Sequence, residues 1–135
     1  MTRNLLTCPP RPCASCPYRK DVPSGIWEQA EYDKLPAYDG EMGEQAANGA
    51  IGTFMCHQRD GRLCAGWVAG HGPHNLLALR FNSRRIDDSV WDYKTDTIVF
   101  RSGAAARDHG MKDIKKPGKR AVRLMAKLTE KGLGG

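Results

Sequence analysis

Four of the five cysteines in this chain fall into two close pairs, and that pattern limits the fold more than any other feature of the sequence. Cys13 and Cys16 stand in Pro-Cys-Ala-Ser-Cys-Pro, and Cys56 and Cys64 bracket His-Gln-Arg-Asp-Gly-Arg-Leu. Cys-x-x-Cys is a good chelating bite, because two thiolates that far apart reach one ion from a tight turn. Thiolates are soft ligands that favour zinc or iron–sulfur clusters. The 39 residues between Cys16 and Cys56 would be closed into a loop by a shared centre. Metal binding would then supply folding energy.

The rest of the composition fits a stapled fold. The chain has 135 residues, with 15 Gly, 8 Pro and 40% hydrophobic residues. That is the length of one domain with much turn and a modest core. A small core gains most from a metal staple. Residues 1–10 hold no apolar leader before the prolines begin, and no apolar run reaches membrane-span length. The expected setting is therefore soluble and cytoplasmic. In a reducing compartment paired cysteines read as metal-binding or catalytic rather than disulfide-bonded. Five cysteines also leave one over in any all-disulfide scheme. Cys8 is the odd thiol.

The seven residues between Cys56 and Cys64 exceed the bite of ordinary zinc ribbons and knuckles. Iron–sulfur clusters accept more irregular spacing. Pro17 after Cys16 also suits a cluster-binding loop. The expected cofactor is an iron–sulfur cluster, 4Fe-4S, held by Cys13, Cys16, Cys56 and Cys64, with Zn2+ as the alternative. His57, Arg19 and Arg62 are candidates for the polar shell around it.

Several catalytic readings fit these residues poorly, and the deaminase reading not at all. Pro-Cys-x-x-Cys is half of a zinc deaminase signature, but the required His-x-Glu is missing. A thioredoxin-like dithiol needs a strand before the motif and a helix after it, and prolines flank Cys13 and Cys16 on both sides. There is no phosphate-binding glycine loop. Asp87-Asp88 is a weak divalent-ion candidate, better read as a solvated helix end.

The net charge of +6 sits at one end. Residues 1–100 hold 11 Lys/Arg against 12 Asp/Glu, and residues 101–135 hold 10 against 3. Lys115, Lys116, Lys119, Arg120, Arg123 and Lys127 could follow a phosphate backbone with a salt-sensitive affinity. The same stretch also reads as a solubilising amphipathic helix. No aromatic residue interleaves it, so base stacking is not indicated.

Local patterns predict a mainly α fold with minor β. Helices are expected over about 25–35 (capped by Ser24 and ended by Pro36), 65–69, 74–86, 102–109 and 117–131. The apolar face of the last is Val122, Leu124, Met125 and Leu128. Residues 37–50 read as loop, 49–54 as a short strand or lead-in, and 95–100 as a strand or extended loop, with a turn at Asp60-Gly61. The architecture predicted is a small, loop-rich single domain stapled by the four-cysteine centre over 1–110. A basic C-terminal helix over 111–135 packs on it or extends from it.

The blocks Cys13-Ala-Ser-Cys-Pro-Tyr-Arg-Lys-Asp, Phe54-Met-Cys-His-Gln, Cys64-Ala-Gly-Trp and His74-Asn-Leu-Leu-Ala-Leu-Arg resemble a family of small proteins of unknown function from actinobacteria and their phages. The resemblance covers about residues 10–110 and implies a bacterial cell or a phage-infected host. A looser likeness to WhiB-type iron–sulfur regulators rests on Cys-x-x-Cys-Pro and the basic C-terminal segment, though the ligand spacing differs. It is an analogy of roles. The function these readings favour is a non-enzymatic metalloprotein that binds nucleic acid, RNA polymerase or a transcription factor. The alternatives are a metal-dependent enzyme acting on nucleic acid or nucleotides, with Arg19, Asp21, His57 and Arg62 as its polar groups, and a redox protein.

Overall fold

Short helices joined by long connections make up most of the fold in a computed structural model, which describes residues 5–59 and 61–130. Six α-helices occur among them: α1 Gln29–Asp33, α2 Met42–Ala47, α3 Ala65–His71, α4 Leu77–Phe81, α5 Gly103–Met111 and α6 Lys119–Glu130. 3-10 turns cover Leu35–Tyr38, Pro73–Asn75, Ser83–Arg85 and Asp88–Asp92. Isolated bridges take the place of a sheet: Leu6 with Ile86, Thr7 with Arg62, Arg19 with Val99 and Met55 with Leu63. The mainly helical, loop-rich fold expected from the sequence is the one observed. Asp60, Lys131 and the glycines after it lie outside the described residues.

The first predicted helix is shorter than its pattern. Gly25 has φ +79°, a left-handed conformation that no helix continues through. Ser24 therefore does not cap a helix. Its hydroxyl donates to Gly110 O at 3.0 Å and accepts from Asp113 N at 2.8 Å, tying the early chain to the end of α5. Residues 37–50 are not all loop. Glu41 and Glu44 form a reciprocal capping box that starts α2. Gln45, almost fully buried, donates to Gly40 O and Asn75 O and accepts from Leu77 N, pinning α2 to α4.

The helix read over 74–86 breaks into α4 and two flanking 3-10 turns, with Leu76 and Leu79 buried but Phe81 66% exposed. Neither 49–54 nor 95–100 forms a strand; Phe54 O accepts from Cys64 N, and Val99 pairs in a single bridge with Arg19. The helix expected from 102 runs as α5, with Ser102 Oγ accepting from Ala105 N. The Asp39 carboxylate also accepts from Gly103 N and Ala104 N. In α6, Ala121 and Leu128 face the core, whereas Val122 is 53% exposed and not part of the apolar face assigned to it.

Glycines set how closely α5 packs. A Cβ on Gly103 would strike the Leu35 carbonyl, and one on Gly110 would enter the Tyr32 ring. Ala106, fully buried, lies between them on the same face. This small-residue stripe lets α5 lie directly on α1 and the Leu35–Tyr38 turn.

Candidate metal centre

The two cysteine pairs come together, but each pair is split between the two motifs. Cys16 Sγ lies 3.6 Å from Cys64 Sγ, in the core. The Cys13 thiol pairs with Cys56, nearer the surface. Local backbone explains both placements. In the first motif Cys16 N donates to Cys13 O at 3.0 Å and Arg19 N to Cys16 O at 3.1 Å, folding Cys-x-x-Cys into a turn. In the second, Cys56 N donates to Arg62 O and Cys64 N to Phe54 O. The chain here is thus a narrow loop whose arms carry Cys56 and Cys64.

Backbone amides converge on the sulfurs. Cys16 Sγ accepts from the amides of Tyr18, Arg19 and Gly66. Cys56 Sγ accepts from Gln58 and Arg59, the same two positions onward as Tyr18 and Arg19 from Cys16. The Trp67 amide, in the first turn of α3, partly offsets the burial that raises Cys64. Amide donors favour the thiolate. One member of each pair is accordingly held down. Cys56 falls to about 6, chiefly because the Cys13 thiol donates to it. Cys16 is lowered chiefly by the hydrogen bond from Cys64. The partners move the other way: Cys13 is raised chiefly by that hydrogen bond with Cys56, and Cys64 chiefly by burial. In each pair one thiol is favoured towards thiolate and its partner towards thiol, and a metal ion would displace the proton from such a pair.

The 3.6 Å separation is close to the ~3.8 Å edge of a tetrahedron with metal–sulfur bonds of about 2.3 Å. No group of three or more His, Cys, Asp or Glu among the described residues is placed to hold a single ion. The donors are thus two pairs of thiols rather than one four-sulfur cage.

The first turn is held by residues outside the cysteine pattern. Trp27 Nε1 donates to Ser15 O at 2.8 Å, and Gln58 Nε2 to Ser15 Oγ at 2.6 Å. Ser15 is fully buried, with its hydroxyl 3.7 Å from Cys13 Sγ. Trp27 is both buried in the core and a clamp on the turn. Ser15 and Gln58 carry no sequence signal for this role.

The predicted polar shell is placed differently from residue to residue. Arg19 lies beside the turn, donating to Pro12 O at 3.0 Å and to both Asp21 carboxylate oxygens. Arg62 faces the N-terminal arm, donating to Cys8 O at 3.0 Å. His57 stacks on Trp27 and contacts Glu31 Oε2 at 2.7 Å, so its ring nitrogen is engaged away from the sulfurs. All four groups considered for catalysis, Arg19, Asp21, His57 and Arg62, are thus bonded within the protein. Burial raises Cys8 to about 12 despite the nearby Arg62 charge, which makes it a poor nucleophile. Asp87 accepts from Ser89 N and caps the Asp88–Asp92 turn.

His71, at the end of α3, is the buried histidine next to this centre. Its Nε2 lies 2.7 Å from Tyr18 Oη and its Nδ1 3.6 Å from Asp39 Oδ1. Burial lowers its pKa to about 4. The neutral ring accepts from Tyr18, whose own pKa burial raises, so the phenol keeps its proton. The unfolded chain binds this proton near pH 6.5 and the folded chain near 4. The stabilisation is complete above the unfolded value and is lost as pH falls towards the folded one. The loss should total about 3 kcal/mol between those limits. Thermal melts across that range should show the slope, and His71→Gln should flatten it.

The basic residues lie together at the C-terminal end. Lys115 and Lys116 precede α6, Lys119 and Arg120 open it, and Arg123 and Lys127 follow on its exposed surface. No described helix is long and apolar enough to cross a membrane. No curated protein and no solved structure matches the chain. A family profile does match it over residues 8–128, a span that takes in all five cysteines and α6 as far as Leu128, and the chain belongs to that family of unknown function, DUF6283.

Proposed function

We propose that Cys13, Cys16, Cys56 and Cys64 hold an iron–sulfur centre, and that the protein is a regulatory or accessory factor contacting nucleic acid or the transcription machinery through α6. The observation that carries the metal reading is the 3.6 Å approach of Cys16 Sγ to Cys64 Sγ, with backbone amides beside Cys16 and Cys56 that lower both thiols. Incidental thiols in a core have no reason to collect such donors, whereas metal thiolates require them. The pairing bears on the kind of centre. Cys16 and Cys64, 3.6 Å apart, suit one metal ion, and with Cys13 and Cys56 as a second pair the set suits a [2Fe–2S] cluster, where two cysteines share each iron. A [4Fe–4S] cluster gives each thiolate its own iron and would spread them further. Zinc is the second reading and needs all four sulfurs on one ion.

Such a centre would close the Cys16–Cys56 loop and stabilise the fold. Its potential would be tuned by the same amide donors. The basic C-terminal segment supports the nucleic-acid reading, with the cytoplasm of a bacterium or of a phage-infected host as the setting. The role parallels that of WhiB-type regulators. Protein purified without oxygen should carry about two iron and two acid-labile sulfide per chain. Stoichiometric zinc without sulfide would move the assignment to zinc, and metal-free folded protein would sink it.

A further inference from the structure

A cleft of about 310 Å³ runs between the Cys13–Cys16 turn and α6. Ala14, exposed between the two cysteines, is one wall. Arg120, Arg123 and Lys127 form the other, spaced so that they share one helix face. Arg19 and Asp21 line it as well. Four cations thus face a single carboxylate, and Arg19 already grips both oxygens of that carboxylate. Arg120 is committed too, donating to Asp21 O at 3.0 Å.

Arg123 and Lys127 have no hydrogen bond or ion pair among the described residues. They stand one helical turn apart, where like charges repel. An anion seated between them would relieve that repulsion. Arg19 and Arg120, both bonded to Asp21, tie the cysteine-turn wall to α6, so the cleft is pre-shaped rather than two loose side chains. Its volume is at the lower end for small-ligand sites, enough for a phosphate with its sugar.

We propose that this cleft is a phosphate-binding site built jointly by the cysteine turn and α6. Its natural occupant is a nucleic-acid backbone phosphate, a part that rests on the function proposed above. The cleft adjoins the proposed centre through a continuous path: Cys13, the Pro12 carbonyl, Arg19, Asp21 and Arg120. Losing the metal would loosen the turn and one wall with it.

The test uses the full metal-loaded protein, a short fluorescein-labelled DNA duplex followed by anisotropy, and calorimetry with inorganic phosphate and AMP. Arg123→Ala with Lys127→Ala should weaken duplex binding about tenfold and reduce the salt slope by about two. Ala14→Glu, which places a carboxylate in the cleft from the other side, should weaken it comparably with metal content unchanged. Lys115→Ala with Lys116→Ala should cost clearly less. If the Lys115 and Lys116 pair costs as much as Arg123 and Lys127, or Ala14→Glu costs nothing, the cleft is overturned while nucleic-acid binding stands. If the duplex does not bind but phosphate or AMP does, and Arg123 and Lys127 are needed, the cleft stands and the nucleic-acid reading falls. If no probe binds, both are overturned.

Discussion

Gly66→Ala should cost about 3 kcal/mol or more and abolish the metal binding proposed for the four cysteines. In an ordinary helix the same change is favourable by roughly 1 kcal/mol, because alanine loses less chain entropy than glycine. Here a Cβ would overlap Cys16 Sγ and meet Tyr18 Cβ at 2.8 Å. Neither neighbour can yield. Cys16 is fixed by its amide donors, and Tyr18 is buried and bonded to His71. The overlap would push α3 away from the turn and remove the Gly66 amide from the sulfur. The midpoint of thermal unfolding should fall on the order of 10 °C. Metal content measured on the folded fraction should fall with it. A stabilised, metal-replete Gly66→Ala protein would mean that α3 does not touch the centre in solution.

Gly103→Ala should destabilise as strongly, by about 3 kcal/mol, yet leave the centre intact below the melting transition. Its Cβ would meet the Leu35 carbonyl and, at 2.9 Å, Pro36 N, and backbone cannot rotate aside as a side chain does. Helix propensity again argues the opposite sign, by roughly 1 kcal/mol. The contact lies between α5 and the Leu35–Tyr38 turn, and no cysteine takes part. Calorimetric melts should therefore fall while metal stoichiometry in the cold is unchanged. Loss of metal from cold, folded Gly103→Ala protein would show that α5 and the cysteines are coupled more tightly than their contacts imply.

What could be read from the sequence follows from physical range. The spacing of the cysteines and the short helix beginning near residue 102 are short-range signals, and both were legible. Charge clustering in α6 needs only composition along the chain, and it too was visible. The α2 helix was missed because its cap is a glutamate, Glu41, in a stretch whose glycines and acids suggest loop. Ser24 looks like a helix cap, but Gly25 takes a left-handed turn and the hydroxyl serves residues 86 and 89 positions away. The crosswise partnering of the thiols, Cys16 with Cys64 and Cys13 with Cys56, is a property of tertiary packing. No spacing rule encodes it. The clamps on the turn, Trp27, Ser15 and Gln58, are ordinary residue types whose role exists only once distant chain segments meet.

The distance between the two cysteine motifs also governs the protein's first seconds. Residues emerge from a ribosome at about 5–20 per second, so the 39 residues separating Cys16 from Cys56 take roughly 2 to 8 s to appear. Throughout that interval Cys13 and Cys16 are a nascent dithiol without partners, open to oxidants and to stray metal ions. The wait ends only when the second motif arrives, and the Ser24–Gly110 bond cannot form until α5 has also been made. Loading of the proposed centre would therefore depend on the redox state and metal supply around the growing chain, before a finished fold exists to choose a metal.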